Sequence, residues 1–215
     1  MLVSKKGLIE GKNLTYREDR PVYIVGELFG WFIGLFLTTQ NIDQNSIQLY
    51  PNKSNGLKNN SKLLFNQITC INPKTQILKK IGSNDDTLLH NTIVLEAIKQ
   101  IKNTQKTSSP QGLIYKVQTM NQQFNVFNIS NYGFKAPVHI GIKIMEGVSI
   151  AKENKPYAFP VEWMNSTGNK ESQSLDLRDV HSYSKETMTS IGKANPQSTL
   201  KIHTQMMKLF KKWIE

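Results

Sequence analysis

The chain has 215 residues, with 27 Lys and Arg against 16 Asp and Glu, giving a formal net charge of +11 at pH 7. Hydrophobic residues make up 38% and the mean hydropathy is -0.42, which excludes an acidic disordered chain and an ordinary multi-span membrane protein. The one cysteine, Cys70, excludes an intrachain disulfide framework and a cysteine-rich zinc site, and suits a reducing intracellular compartment.

Residues 1–20 are a polar segment of mixed charge. Pro21 then opens the strongest apolar run, Val22 to Leu37, interrupted only by Glu27 and carrying Gly26, Gly30 and Gly34 at every fourth position. On a helix that spacing gives a smooth groove for a second helix, either another copy of the chain or a protein partner. On strands, a glycine would split the run into two short buried pieces. A bilayer span needs about 20 apolar residues, and this run is shorter and holds a carboxylate. A buried core segment is therefore the leading reading. A membrane span over 21–39 is the second, and a surface presenting Trp31 and Phe32 to lipid or a partner is the third.

Residues 40–62 are polar and read as a loop or linker before a main domain over 63–215. Leu63 to Ile71 has strand character and ends before Pro73. A helix follows over about 86–106, capped by Asn84, Asp85 or Asp86, since a short side-chain acceptor satisfies free amide donors at a helix start. Its apolar face is Leu89, Ile93, Ala97 and Ile101, widened by Val94 and Ile98. Lys99, Lys102 and Lys106 sit toward its C-terminal end, where the helix dipole favours cations.

Between 113 and 164 the period changes to two. Val138, Ile140, Ile142 and Ile144 alternate with small or polar residues, as do Tyr157, Phe159, Val161 and Trp163, and Phe124 to Ile129 behaves similarly. A turn at 131–134 would join two of these strands, and the set predicts an antiparallel meander of roughly four strands. Pro160 lacks a ladder donor and belongs at a sheet edge. Residues 165–174 read as a polar loop, and 175–190 fit no single period.

A break from Gly192 to Pro196 precedes a final amphipathic helix over about 199–214, entered at Ser198 or Thr199. Ile202, Met206, Leu209 and Trp213 share one face, which Phe210, His203, Ile214, Met207 and Leu200 extend. Lys201, Lys208, Lys211 and Lys212 occupy the other. The predicted fold class is α+β: an antiparallel sheet packed by the internal and the C-terminal helix.

Signals for chemistry are sparse. His90, His139, His181 and His203 are dispersed, with no helical metal-pair spacing and no cysteine or carboxylate cluster nearby in sequence. Asp179, His181 and Ser182 fall in one run, but no Gly-x-Ser-x-Gly elbow accompanies them. That run reads as a polar turn or helix entry. The tripeptides Glu10-Gly-Lys12 and Glu153-Asn-Lys155 carry the acid and lysine of many metal-dependent nucleases, with Glu146 as the nearer second acid for Glu153. No catalytic residue, metal or cofactor is assigned.

The leading functional expectation is a non-enzymatic structural or interaction protein that binds a polyanion, nucleic acid or an acidic membrane surface, and assembles through apolar segments. Viral matrix-type and nucleocapsid-associated proteins share this size and charge balance. The cations are Lys except for Arg17, Arg20 and Arg178. Base-edge readout favours the Arg fork, so the contact is expected to ignore sequence. The polyanion residues are Lys99, Lys102, Lys106, Lys201, Lys208, Lys211 and Lys212. Those for partner or membrane are Trp31, Phe32, Met206, Phe210 and Trp213. Second comes a membrane-anchored assembly component, and third a metal-dependent nuclease.

Overall fold

The computed structural model describes residues 2–5, 20–40, 46–75, 78–102, 110–130, 136–146 and 155–214. The first half forms a six-stranded antiparallel sheet from β1 (Leu2–Lys5), β2 (Arg20–Leu28), β3 (Trp31–Thr38), β4 (Ser46–Leu49), β5 (Ser61–Ile71) and β6 (Leu78–Gly82), in the order β4-β5-β3-β2-β1-β6. After α1 (Thr87–Lys99), the strands β7 (Leu113–Gln118), β8 (Gln123–Asn128), β9 (Val138–Met145), β10 (Ala158–Asn165), β11 (Lys170–Ser184) and β12 (Met188–Ala194) close into a barrel in the order β10-β11-β9-β8-β7-β12. The C-terminal helix is α2 (Pro196–Lys211). The fold is α+β, with antiparallel sheets, one internal helix and one C-terminal helix.

The apolar run 22–37 is the hairpin β2–β3. Tyr23, Val25, Ile33, Leu35 and Leu37 enter the main core, while Val22, Ile24 and Phe36 join Leu64 and Ile71 in a second cluster. Burial on both faces removes the polar alternation that marks a half-exposed strand. The turn places Phe29 at φ 49° and Gly30 at φ 84°, both left-handed, as a two-residue hairpin of matching twist requires. Glu27, the one charge of the run, accepts from the Gly30 N–H at 3.1 Å. Gly26, Gly30 and Gly34 thus lie on β2, in the turn and on β3, and form no helical groove. Among the described residues no helix is long and apolar enough to cross a membrane.

Within 40–62, Ser46–Leu49 pairs with Ser61–Leu64 as the edge strand β4. Its order comes from the β5 ladder; at four residues it is too short to stand out in a polar stretch. The expected meander holds for β7–β8–β9, but β11 lies between β9 and β10. β11 begins at Lys170, directly after a turn in which Asn165 Oδ1 accepts from the Thr167 and Asn169 amides, so the polar stretch 165–174 is half strand. Pro160 faces Ser174 of β11, and β10 meets β12 only over Trp163–Asn165. The proline therefore sits where β10 has one neighbour, and no barrel hydrogen bond is lost.

Asp86 caps α1, its Oδ1 accepting from the Leu89 N–H at 2.9 Å. Asn195 caps α2, accepting from the Ser198 N–H at 2.6 Å. That is earlier than the expected Ser198 or Thr199, because Pro196 fits the first helical position, where no N–H is needed. Ile93, Val94, Ala97 and Ile98 of α1 meet Ile202, Met206 and Phe210 of α2 in the main core. His203 Nδ1–H donates to the Ile101 carbonyl at 3.2 Å and ties the two helices together.

Candidate functional site

The sheet and the barrel meet where β5 crosses β11, and both strands are irregular there. The β11–β9 register shifts between Leu175 and Val180, so 176–179 bulge from the ladder. The β3–β5 register shifts between Leu35 and Leu37, opposite residues 64–67 of β5. Ser182 bonds to β5 here: its Oγ accepts from the Ile68 N–H at 2.8 Å and donates to the Asn66 carbonyl at 2.8 Å.

Beside this stitch, Cys70 of β5 meets Asp179 and His181 of β11. Cys70 Sγ lies 2.9 Å from His181 Nε2 and 3.7 Å from Asp179 Oδ1, and His181 Nε2 is 3.2 Å from Asp179 Oδ1. The far ring nitrogen, Nδ1, lies 3.3 Å from Thr69 Oγ1. Cys70 is only 3% exposed, while the side chains of His181 and Asp179 keep 29% and 18% of their surface. Burial alone would push the His181 pKa down, but the charge of Cys70, with hydrogen bonds to Asp179 and Cys70, raises it to about 10. Burial opposes ionisation of Asp179, yet the His181 hydrogen bond and charge, with Lys143 nearby, hold its pKa below the usual range. The three electronegative atoms converge on one point, where the Asp179 carboxylate favours positive charge. A proton on Nε2 supplies it, and a metal ion can do the same.

Directly before Asp179, Arg178 forms a two-pronged pair with Asp176, Nε to Oδ1 at 2.9 Å and Nη2 to Oδ2 at 2.7 Å. Its guanidinium stacks 3.3 Å from the Tyr157 ring centre and 4.7 Å from that of Trp31. This fastens the tip of the β2–β3 hairpin to the barrel bulge. A shallow groove of about 340 Å³ lies on the barrel, lined by Gln122, Gln123, Phe124, Lys143 and Glu146.

The residues expected to meet a partner or membrane are mostly used within the chain. Met206 and Phe210 are 1% and 3% exposed in the main core. Trp213 stacks on Phe210, with ring centres 4.4 Å apart, and donates Nε1–H to the Glu27 carbonyl at 3.0 Å. Trp31 is half-buried under Arg178, and Phe32 packs against the second cluster of the sheet. The apolar face of α2 packs mainly on the chain's own core through Ile202, Met206 and Phe210, while Leu200 at its start stays exposed.

Of the expected polyanion residues, Lys99 is paired with Glu96 on α1. Lys102 follows the helix end, and Lys106 lies outside the described residues, as do Glu10, Lys12 and Glu153. Lys201, Lys208, Lys211 and Lys212 are all exposed. They fall within about a third of the α2 circumference at about 100° per residue. Among the described residues no acidic side chain pairs with any of the four.

The Cys70–Asp179–His181 cluster escaped the sequence reading. Its one local signal is Asp179-x-His181, since alternate residues of a strand share a face. The third member stands more than a hundred positions away on another strand. No protein-family model, curated protein or solved structure matched the chain.

Proposed function

We propose that the protein is a non-enzymatic nucleic-acid-binding component that holds the phosphate backbone without reading sequence, and that the solvent face of α2 is its contact. The observation that carries this is the row Lys201, Lys208, Lys211 and Lys212, exposed along one side of a docked helix with no acidic partner among the described residues. The row extends over about 17 Å at 1.5 Å per residue, long enough to follow several phosphates. The net +11 supplies a long-range field of the same sign. Near-exclusive use of Lys supports contact with point charges over bidentate base recognition. Nucleic acid is favoured over a lipid surface because the apolar side of α2, including Met206 and Phe210, is spent mainly on the core and leaves little apolar surface for a bilayer.

The test is fluorescence anisotropy of a labelled single-stranded RNA over a salt series, beside co-sedimentation with phosphatidylserine vesicles. RNA binding that weakens steeply with salt, and at least tenfold on changing all four lysines to Gln, is expected. Equal RNA binding by wild type and the fourfold variant overturns the assignment. Stronger retention on vesicles than on RNA replaces nucleic acid by lipid.

A further inference from the structure

We propose that Cys70, Asp179 and His181 form a binding site for one zinc-class divalent cation, with a fourth coordination position open to solvent. The ligand set is the first argument. A thiolate, an imidazole and a carboxylate together suit a borderline-soft d-block ion and do not suit Mg²⁺ or Ca²⁺, which take oxygen ligands.

Geometry is the second. In a tetrahedral site with Zn–S of about 2.3 Å and Zn–N and Zn–O of about 2.0–2.2 Å, neighbouring ligand atoms stand about 3.3–3.6 Å apart. The three separations here are 2.9, 3.2 and 3.7 Å. The Sγ–Nε2 pair must open by about 0.6 Å and the Nε2–Oδ1 pair by about 0.2 Å to admit an ion of that size.

The orientation of the imidazole is the third. Thr69 Oγ1 donates to the Cys70 carbonyl at 3.3 Å, and at 3.3 Å from His181 Nδ1 the same oxygen is placed to accept an Nδ1–H. Holding the proton on Nδ1 points the Nε2 lone pair at Cys70 and Asp179. Metal-bound histidines are fixed in this way by a hydrogen bond on the other nitrogen.

The same geometry argues against a nucleophilic cysteine. In a relay triad the carboxylate orients the imidazole from the nitrogen opposite the nucleophile. Here Asp179 and Cys70 crowd the same nitrogen, and Thr69 holds the other. Cys70 is also too deeply buried for a substrate carbonyl to approach. A divalent cation would neutralise the thiolate and carboxylate together, while the partly exposed edges of Asp179 and His181 leave room for a bound water.

The experiment uses the untagged full chain with Co²⁺ as a spectroscopic substitute for Zn²⁺. The expected result is one Co²⁺ per chain, a thiolate-to-cobalt charge-transfer band in the near ultraviolet, visible bands of tetrahedral intensity, and displacement by Zn²⁺. Cys70→Ser removes the charge-transfer band. Asp179→Asn and His181→Gln weaken affinity at least tenfold, and Thr69→Val weakens it about 10- to 100-fold by freeing the ring. Circular dichroism and a urea midpoint establish that each variant folds. If Cys70→Ser does not fold, the wild-type cobalt spectrum and Thr69→Val decide alone. Absence of stoichiometric binding, saturation without a thiolate band, or unchanged affinity in a folded Cys70→Ser protein overturns the site. Loss of RNA binding in the α2 lysine variant leaves these spectra unaltered, so the two proposals fail separately.

Discussion

The indole of Trp213 covers the α-carbon of Gly26, and its Nε1–H donates to the Glu27 carbonyl at 3.0 Å. A Cβ at position 26 would stand 2.2–2.4 Å from three indole carbons, so the C-terminal end of the chain seats on β2 only because the residue beneath it is glycine. Gly26→Ala is expected to lower stability by about 1–3 kcal/mol, the usual cost of overpacking. Urea unfolding of Gly26→Ala, Trp213→Ala and the double variant measures it. The clash predicts non-additivity, with the double variant clearly more stable than the sum of the singles implies.

Ser182 satisfies one buried donor and one acceptor of β5 across the sheet–barrel junction. Ser182→Ala leaves the Ile68 N–H and the Asn66 carbonyl without that partner, at an expected cost of about 1–3 kcal/mol. Guanidinium unfolding reads the cost. Hydrogen exchange at the Ile68 amide should accelerate more than exchange in β7 or β8, because the opening is local.

His203 gives a pH prediction. Burial pushes its pKa down to about 4, against the single hydrogen bond to Ile101. Between about pH 6.5 and pH 4 the unfolded chain binds a proton at this site and the folded chain does not, so stability falls on acidification through that window. The contribution reaches about 3 kcal/mol at the lower end. His139 is also shifted down, by burial and by Lys185, and acts in the same direction. His181, shifted up, acts in the opposite direction: its contribution is complete below pH 6.5 and is lost only as pH rises toward 10. The His203 part is therefore read by difference, as a shallower acid loss in His203→Asn by chemical denaturation at pH 7, 6 and 5.

Arg178 should not tolerate Lys. The guanidinium lies between two rings and grips both oxygens of Asp176, and an ammonium can do neither. Arg178→Lys is expected to cost about 1–2 kcal/mol in thermal or chemical unfolding. Trp31 fluorescence should change as its cover is withdrawn.

If α2 tracks phosphates, each lysine removed should reduce the slope of log K against log salt by up to about 0.7 for a single strand. Lys208→Gln and Lys212→Gln are expected to reduce it additively. Lys170→Gln, whose lysine pairs with Glu162 at 3.2 Å, should leave it unchanged.

Elements that carry their own punctuation were readable from the residues. α1 is legible from the run of cap candidates Asn84, Asp85 and Asp86, of which Asp86 is the cap, and from the Ile93–Ala97 spacing; β9 is legible from the strict alternation Val138–Ile144. β2 and β3 were ambiguous between helix and strand because both their faces are buried, and apolar content alone does not distinguish the two. β11 was opaque for a different reason. Its 176–179 bulge breaks the two-residue period in the middle of the strand, ending at the Asp179-x-His181 pair that meets Cys70. The basic face of α2 was legible as a pattern, whereas its apolar face could not declare its partner. Only the tertiary structure shows that Met206, Phe210 and Trp213 meet the chain's own strands.

Cys70 and His181 are separated by 111 positions, and Ser182 reaches Ile68 across 114. Neither contact can form until the hairpins on each side have found their registers, and closing so large a loop is entropically slow. The junction is thus expected to form late in refolding. A thiol reagent that modifies Cys70 during refolding would stop being effective at that step, so protection of a single sulfur times a late stage of the entire fold.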